Sequence, residues 1–200
     1  MKSIVINYLM NLIKKHYNYD KTKLDEIKYG LETLYLTITK TIVIFTIAYL
    51  LHLAKELLLI FLFYGILRIF GFGLHASKSW QCWLYSITSF IGLSYISTVV
   101  QIDEVLKIII PSICIILLAI YSPADTEKRP ITSKKRRIFF KISTILISIT
   151  YFIFILTIKN NLYINILVIS LIIQTTMVLP ISYRIFKLRY NNYKYYNQIS

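Results

Sequence analysis

Long apolar runs separated by short charged clusters set the pattern of this chain. Six of them reach or approach the roughly 20 residues that a helix needs to cross a bilayer. They lie at about 33 to 53, 57 to 73, 80 to 99, 107 to 121, 139 to 158 and 162 to 183. The second and fourth are short, which predicts tilted or broken helices. Their β-branched richness does not argue for strands, because open sheet cannot span lipid and the runs are too long and uniformly apolar for barrel strands. An earlier stretch, "IVINYLMNLI" at 4 to 13, is followed by "KKHYNYDKTKLDE" rather than by a small-residue cleavage site. It reads as an amphipathic helix on the cytoplasmic leaflet, with Ile4, Leu9, Leu12 and Ile13 toward lipid. The expected architecture is an all-α polytopic membrane protein with six transmembrane helices and an N-terminal amphipathic interfacial helix. It forms one domain over 1–200: an amphipathic segment over 1–30, a bundle over 31–183 and a basic tail over 184–200.

Composition agrees. The 200 residues are 56% hydrophobic and only 16% charged, where a soluble domain spends about a quarter on charge. The 23 basic residues outnumber the 9 acidic ones, for a net charge of +14. In a soluble chain that excess would suggest nucleic acid; here it flanks apolar runs and points to the cytoplasmic face and anionic lipid instead. Nucleic acid is not an expected partner. Lys2, Lys14, Lys15, Lys21, Lys23 and Lys28 precede the first run, Lys128, Arg129, Lys134, Lys135, Arg136 and Arg137 follow the fourth, and Arg184, Lys187, Arg189 and Lys194 follow the last. The other connections hold only Lys55, Lys107 and Lys159. Six spans with both ends cytoplasmic satisfy the positive-inside rule at every loop, and put the connection over 73 to 80 on the cytoplasmic side.

That connection holds the candidate chemistry. In "RIFGFGLHASKSWQCW", residues 68 to 83, His75 and Cys82 stand seven positions apart. One straight helix would separate them by about 10.5 Å along its axis, whereas proton transfer wants roughly 3 Å. Catalysis therefore requires a break. Gly71 and Gly73 permit a turn before His75, and Ser79, or alternatively Ser77, can cap a new helix. Cys82 then falls in a first turn, where the helix's positive end and Lys78 favour the thiolate. The plainer account is that Cys82 packs and His75 satisfies a carbonyl at the interface. Two ligands do not make a zinc site, so no metal and no cofactor are expected. Cys114 reads as a packing residue.

Arg68 lies within an apolar run, where an ionised group is costly unless paired or near water. It either snorkels to headgroups or pairs with an acid, Glu32 and Asp125 being the candidates, or with a carboxylate on a substrate. The loop "YSPADTEKRPITSKKRR" mixes Pro123 and Pro130 with acids and a basic run. Lys134, Lys135 and Arg136 serve either topology alone or docking of an acidic peptide. A small peptide transporter is the rival function, but its expected midplane acids are absent; Thr46, Ser112, Ser148 and Gln174 read as ordinary helix–helix hydrogen-bonders.

Three stretches resemble the AgrB family of integral-membrane cysteine endopeptidases, which process the precursors of cyclic autoinducing peptides in Gram-positive quorum sensing. "YGLE" at 29 to 32 is similar to the family's first helix start. "RIFGFGLHASKSWQC" is similar to its Arg, Gly-x-His and a Cys seven positions later, although Phe72 stands where the family often has a glycine. "SPADTEKRPI" at 122 to 131 is similar to its Pro-Ala-Asp loop. The resemblance implies Cys82 as nucleophile, His75 as base, and Arg68 and Gly73 as motif residues; it leaves the third orienting group open. It further implies an AgrD-like precursor peptide as substrate, a thioester on the enzyme, a cell-membrane location and a homodimer.

Overall fold

The computed structural model describes residues 2–74, 79–127 and 129–196. Among these, all regular structure is helical: α1 Lys2–His16, α2 Lys21–Leu50, α3 Ala54–Gly71, α4 Ser79–Val99, α5 Glu104–Tyr121, α6 Lys134–Thr157, α7 Asn161–Val178, α8 Pro180–Ile185 and α9 Tyr193–Tyr196. The chain divides into two compact units, residues 1–47 and 48–200.

In the first unit α1 buries Ile6 and Met10, one turn apart, and leaves Ile4 and Leu12 exposed. Lys2 Nζ donates to Glu32 Oε2 at 2.8 Å, which ties the start of α1 to α2. Thr33, Thr37 and Thr46 in α2 bond back to the carbonyl four residues earlier.

The second unit is organised around α7. Its sequence is apolar all round, and such a helix must be enclosed by other helices or by lipid; here α3, α4, α5 and α6 pack against it. The main core gathers Leu67 of α3, Leu118 of α5, Tyr151 and Ile155 of α6, and Ile164, Leu167 and Leu171 of α7. On α5, Pro111, Cys114 and Leu118 face inward while Ile109, Ile113, Ile116 and Ile120 stay exposed, a spacing that gives one face to the bundle and one to lipid. Asp103 caps α5 by accepting Leu106 N–H at 2.8 Å.

The structure corrects the expected six spans. Among the described residues, four helices are long and apolar enough to cross a membrane: α2, α5, α6 and α7. The protein is multi-pass, but α3 and α4 are not among its candidate spans. α3 carries Lys55, Glu56 and Arg68 within its 18 residues, and α4 is diluted by Ser86, Thr88, Ser89, Ser94 and Ser97. The last run also ends earlier than its apolar length suggested. Leu179 is extended and Pro180 begins a new short helix, as the missing N–H and the restriction on the preceding residue require. Three hydroxyls read as bridges between helices do something more local: those of Thr46, Ser112 and Ser148 donate to the carbonyl four residues back in their own helix.

Candidate active site

α3 ends at Gly71 and α4 begins at Ser79, so no single helix carries residues 68 to 83. Phe72 leaves the helix with φ 55° and Gly73 follows with φ 119°, a backbone that glycine tolerates and side chains resist. Arg68, one turn before the end of α3, locks this exit. Its Nη1 donates to Phe72 O at 2.6 Å and its Nη2 to Gly73 O at 3.0 Å and Leu74 O at 2.7 Å. The last carbonyls of a helix have no partners inside it, and a guanidinium fork near that end satisfies several at once while meeting the negative pole. Arg68 is thus held on three backbone carbonyls.

Two further elements clamp the same turn. Gly73 N–H donates to Ala124 O at 2.7 Å, and Ala124 N–H donates to Gly71 O at 3.2 Å, a short parallel pairing with the α5–α6 loop. From α7, Met177 O accepts Leu74 N–H at 3.0 Å, and Gln174 Nε2 donates to Phe72 O at 3.0 Å. A Cβ on Gly73 would collide with Arg68 Nη1 and stand 2.8 Å from Met177 O; one on Gly71 would collide with Gln174 Nε2. Both glycines are required by close approach. His75 follows directly and lies, with Ser77 and Lys78, outside the described residues. Ser79 is the first residue of α4, and Cys82 is the fourth.

The α5–α6 loop is itself built on Asp125, which is 3% exposed. Its Oδ1 accepts Asn192 N–H at 2.9 Å, and its Oδ2 accepts Tyr193 N–H at 2.8 Å and Ile131 N–H at 3.2 Å. The Tyr183 hydroxyl donates to Asp125 O at 3.0 Å and Ala124 O at 3.2 Å; burial pushes this phenol above its usual range, so it remains a donor. Arg137 stacks on the Tyr193 ring, 3.3 Å from its centroid. The tail therefore folds back onto the loop that holds Gly73. Asp125→Ala is expected to lower stability by about 3 kcal/mol, since it strands buried N–H groups that a charge had satisfied. Thermal unfolding in detergent measures this; an unchanged midpoint would show that the tail is not fastened there.

The other candidates are placed as follows. Glu32 is ion-paired with Lys2. Lys134, Lys135 and Arg136 are exposed in the first turn of α6. Gln174, Tyr183 and Asn192 emerge as builders of the site that sequence reasoning had not assigned there. Gln174 alone had been singled out, as a polar side chain in the last apolar run able to hydrogen-bond between helices.

A multi-pass helical membrane protein with an arginine-locked turn, clamped at one end of its bundle between a Pro-Ala-Asp loop and the last apolar helix, is the class these features define. The sequence model of Accessory gene regulator B (AgrB) matches residues 6–178, and the chain belongs to that family. It is 31% identical over 182 residues to the accessory gene regulator protein B of Staphylococcus aureus (strain MW2), covering 89% of this chain and 94% of the relative. To that of Staphylococcus carnosus (strain TM300) it is 33% identical over 145 residues, 70% of this chain and 76% of the relative. An AgrB-like protein of Clostridium acetobutylicum is 29% identical over 196 residues, 96% of this chain and 94% of its own. No solved structure matches the chain.

Proposed function

We propose that this protein is a membrane-embedded cysteine endopeptidase that removes the C-terminal segment of an AgrD-like pro-peptide and passes the remainder on as a thioester. The observation that carries this reading is the break between Gly71 and Ser79, which puts Cys82 in the first turn of α4 just beyond the turn locked by Arg68. There the helix's positive end lowers a thiol pKa, and His75 falls in sequence between the end of α3 and the start of α4. His75 takes the Cys82 proton, and the thiolate attacks the scissile carbonyl. The tetrahedral intermediate collapses with C–N cleavage, and His75 returns the proton to the leaving amine. Backbone N–H groups at the start of α4, unpaired within the helix, are suited to hold the oxyanion. A Cys or Ser within the precursor then attacks the thioester, closes a thiolactone or lactone ring and frees Cys82.

The substrate's acidic end has a suitable partner in the exposed Lys134, Lys135 and Arg136. The concentration of positive charge there and at Arg184, Lys187 and Arg189 favours a cytoplasmic orientation for this end. Replacing Lys134, Lys135 and Arg136 together by Gln is expected to raise KM roughly tenfold with little change in kcat, and added salt should weaken the parent in the same way. Unchanged KM would remove these residues from docking. The reading itself is tested by incubating the purified protein in liposomes with an AgrD-like precursor and following products by mass spectrometry. Release of one intact C-terminal segment is expected; a precursor that stays whole would overturn the assignment.

A further inference from the structure

The chain beyond α7 has two distinct sides. α7, a candidate span, stops at Val178, and after the extended Leu179 the short helix α8 starts at Pro180. The chain therefore leaves the bundle where a span ends, at the boundary between lipid and water. On α8, Tyr183 is 1% exposed and turns inward, while Ile181 and Ile185, one turn apart, are 61% and 72% exposed. Arg184 is exposed beside them, three residues after Ile181 and next to Ile185. The segment that follows alternates. Phe186, Leu188 and Tyr190 pack against the main core, whereas Lys187 and Arg189 between them are exposed. Lys194 and Tyr195 of α9 are exposed as well, and the Arg189 guanidinium lies 5.8 Å from the Tyr195 ring centroid. Among the described residues no acid pairs with Arg184, Lys187, Arg189 or Lys194; the ion pairs are those of Lys2, Lys23 and Lys107.

We propose that the segment from Pro180 to Tyr195 is a docking surface for anionic phospholipid. Ile181 and Ile185 enter the acyl boundary, and Arg184, Lys187, Arg189 and Lys194 hold headgroup phosphates. Exposed isoleucines beside Arg, Lys and Tyr at the end of a span match the layered chemistry of the headgroup region. Each cation near an anionic leaflet adds to the attraction. Orientation alone would be served by the same charges on a loose tail, but these are held from behind. The Tyr183 hydroxyl donates to Ala124 O and Asp125 O, and Asn192 and Tyr193 N–H donate to the Asp125 carboxylate. Ala124 O in turn accepts Gly73 N–H at 2.7 Å. A lipid that binds this segment only in its folded-back form stabilises that form by mass action, and with it the loop that holds the arginine-locked turn. The proposal stands on the surface itself and does not depend on the peptidase reading.

The test is hydrogen–deuterium exchange of the full-length protein in vesicles of phosphatidylcholine, alone or mixed with phosphatidylglycerol, read by mass spectrometry. The amides of Asn192 and Tyr193, bonded to Asp125, report whether the segment is folded back. Phosphatidylglycerol at about ten times its Kd should slow their exchange about tenfold in the parent, and added salt should shrink the difference. The triple variant Arg184→Gln, Lys187→Gln, Arg189→Gln should exchange equally fast in both lipids. Ile181→Ser with Ile185→Ser should lose part of the difference. Glycerol 3-phosphate added to phosphatidylcholine vesicles should leave the parent unchanged, because the surface needs a lipid and not a free phosphate. Protection of α7 in the same digests shows that each variant is folded. Equal exchange by the parent in the two lipids, a difference kept by the triple variant, or slowing by glycerol 3-phosphate alone would overturn the proposal.

Discussion

Cys82→Ala is expected to reduce release of the precursor's C-terminal segment to background, a loss on the order of ten thousandfold or more. The magnitude follows from the kind of step removed. Without the thiolate no acyl-enzyme forms, and the second stage, ring closure from a thioester, has no starting material. His75→Ala should fall almost as far, by roughly a hundred- to ten-thousandfold. The two losses should not add in the double variant, because base and nucleophile act as one unit. Cys114→Ala is the matched control. That thiol is buried in α5 against the core, so its removal should leave the rate of release near the parent's. Mass spectrometry of the released segment measures all four proteins. Appreciable release by Cys82→Ala would place the nucleophile elsewhere.

Gly73→Ala is expected to lower release by about a hundredfold while leaving the protein inserted and helical. The added methyl would enter a space already filled by Arg68 Nη1, with Met177 O at 2.8 Å and Met177 Cβ at 3.0 Å. The backbone there has φ 119°, which a side chain adopts at a cost of about 1–3 kcal/mol. Relief requires moving Arg68, which holds three carbonyls, or the end of α7, which holds Leu74. Either movement shifts the connection bearing His75, and misplacement by about 1 Å can cost a hundredfold in rate. Gly30→Ala serves as the control, because a Cβ there meets nothing within 4 Å. Far-UV circular dichroism and the release assay together read the result. A Gly73→Ala protein that cleaves at the parental rate would show that this turn does not govern the chemistry.

The end of α3 was legible because Gly71 and Gly73 mark where a helix can stop; the proposed proton exchange between His75 and Cys82 asked for a break at the same place. The helical class was legible from uniform apolarity. The number of spans was not. Apolar length alone ran from 57 through Arg68 to 73 and left Lys55 to the connection, whereas α3 begins at Ala54 and takes in Lys55 and Glu56 as well; the charge pattern could not expose the error. The basic segments lie ahead of and at the start of α2, in the α5–α6 loop and the first turn of α6, and after α7, so α3 and α4 leave the count as a pair and the positive-inside parity is unchanged. Pro180 did announce the end of α7, but the apolar residues beyond it masked the signal. The clamps of the site escaped for a different reason. Gln174 meets Phe72 across 102 positions, Tyr183 meets Asp125 across 58 and Asn192 meets Asp125 across 67, and no local pattern reports such pairings. Arg68 was noticed as a charge in need of a partner and Asp125 as a candidate for it; both instead bond backbone groups, which carry no signature in side-chain spacing.

The most direct measurement is to trap the acyl-enzyme. Full-length protein carrying Cys114→Ala is mixed with precursor, quenched in acid after short times, digested and analysed by mass spectrometry. The expected result is a peptide containing Cys82 heavier by the N-terminal part of the precursor, sensitive to hydroxylamine and absent from Cys82→Ala. Release of the C-terminal segment with no such adduct at any time, and undiminished in Cys82→Ala, would contradict the account.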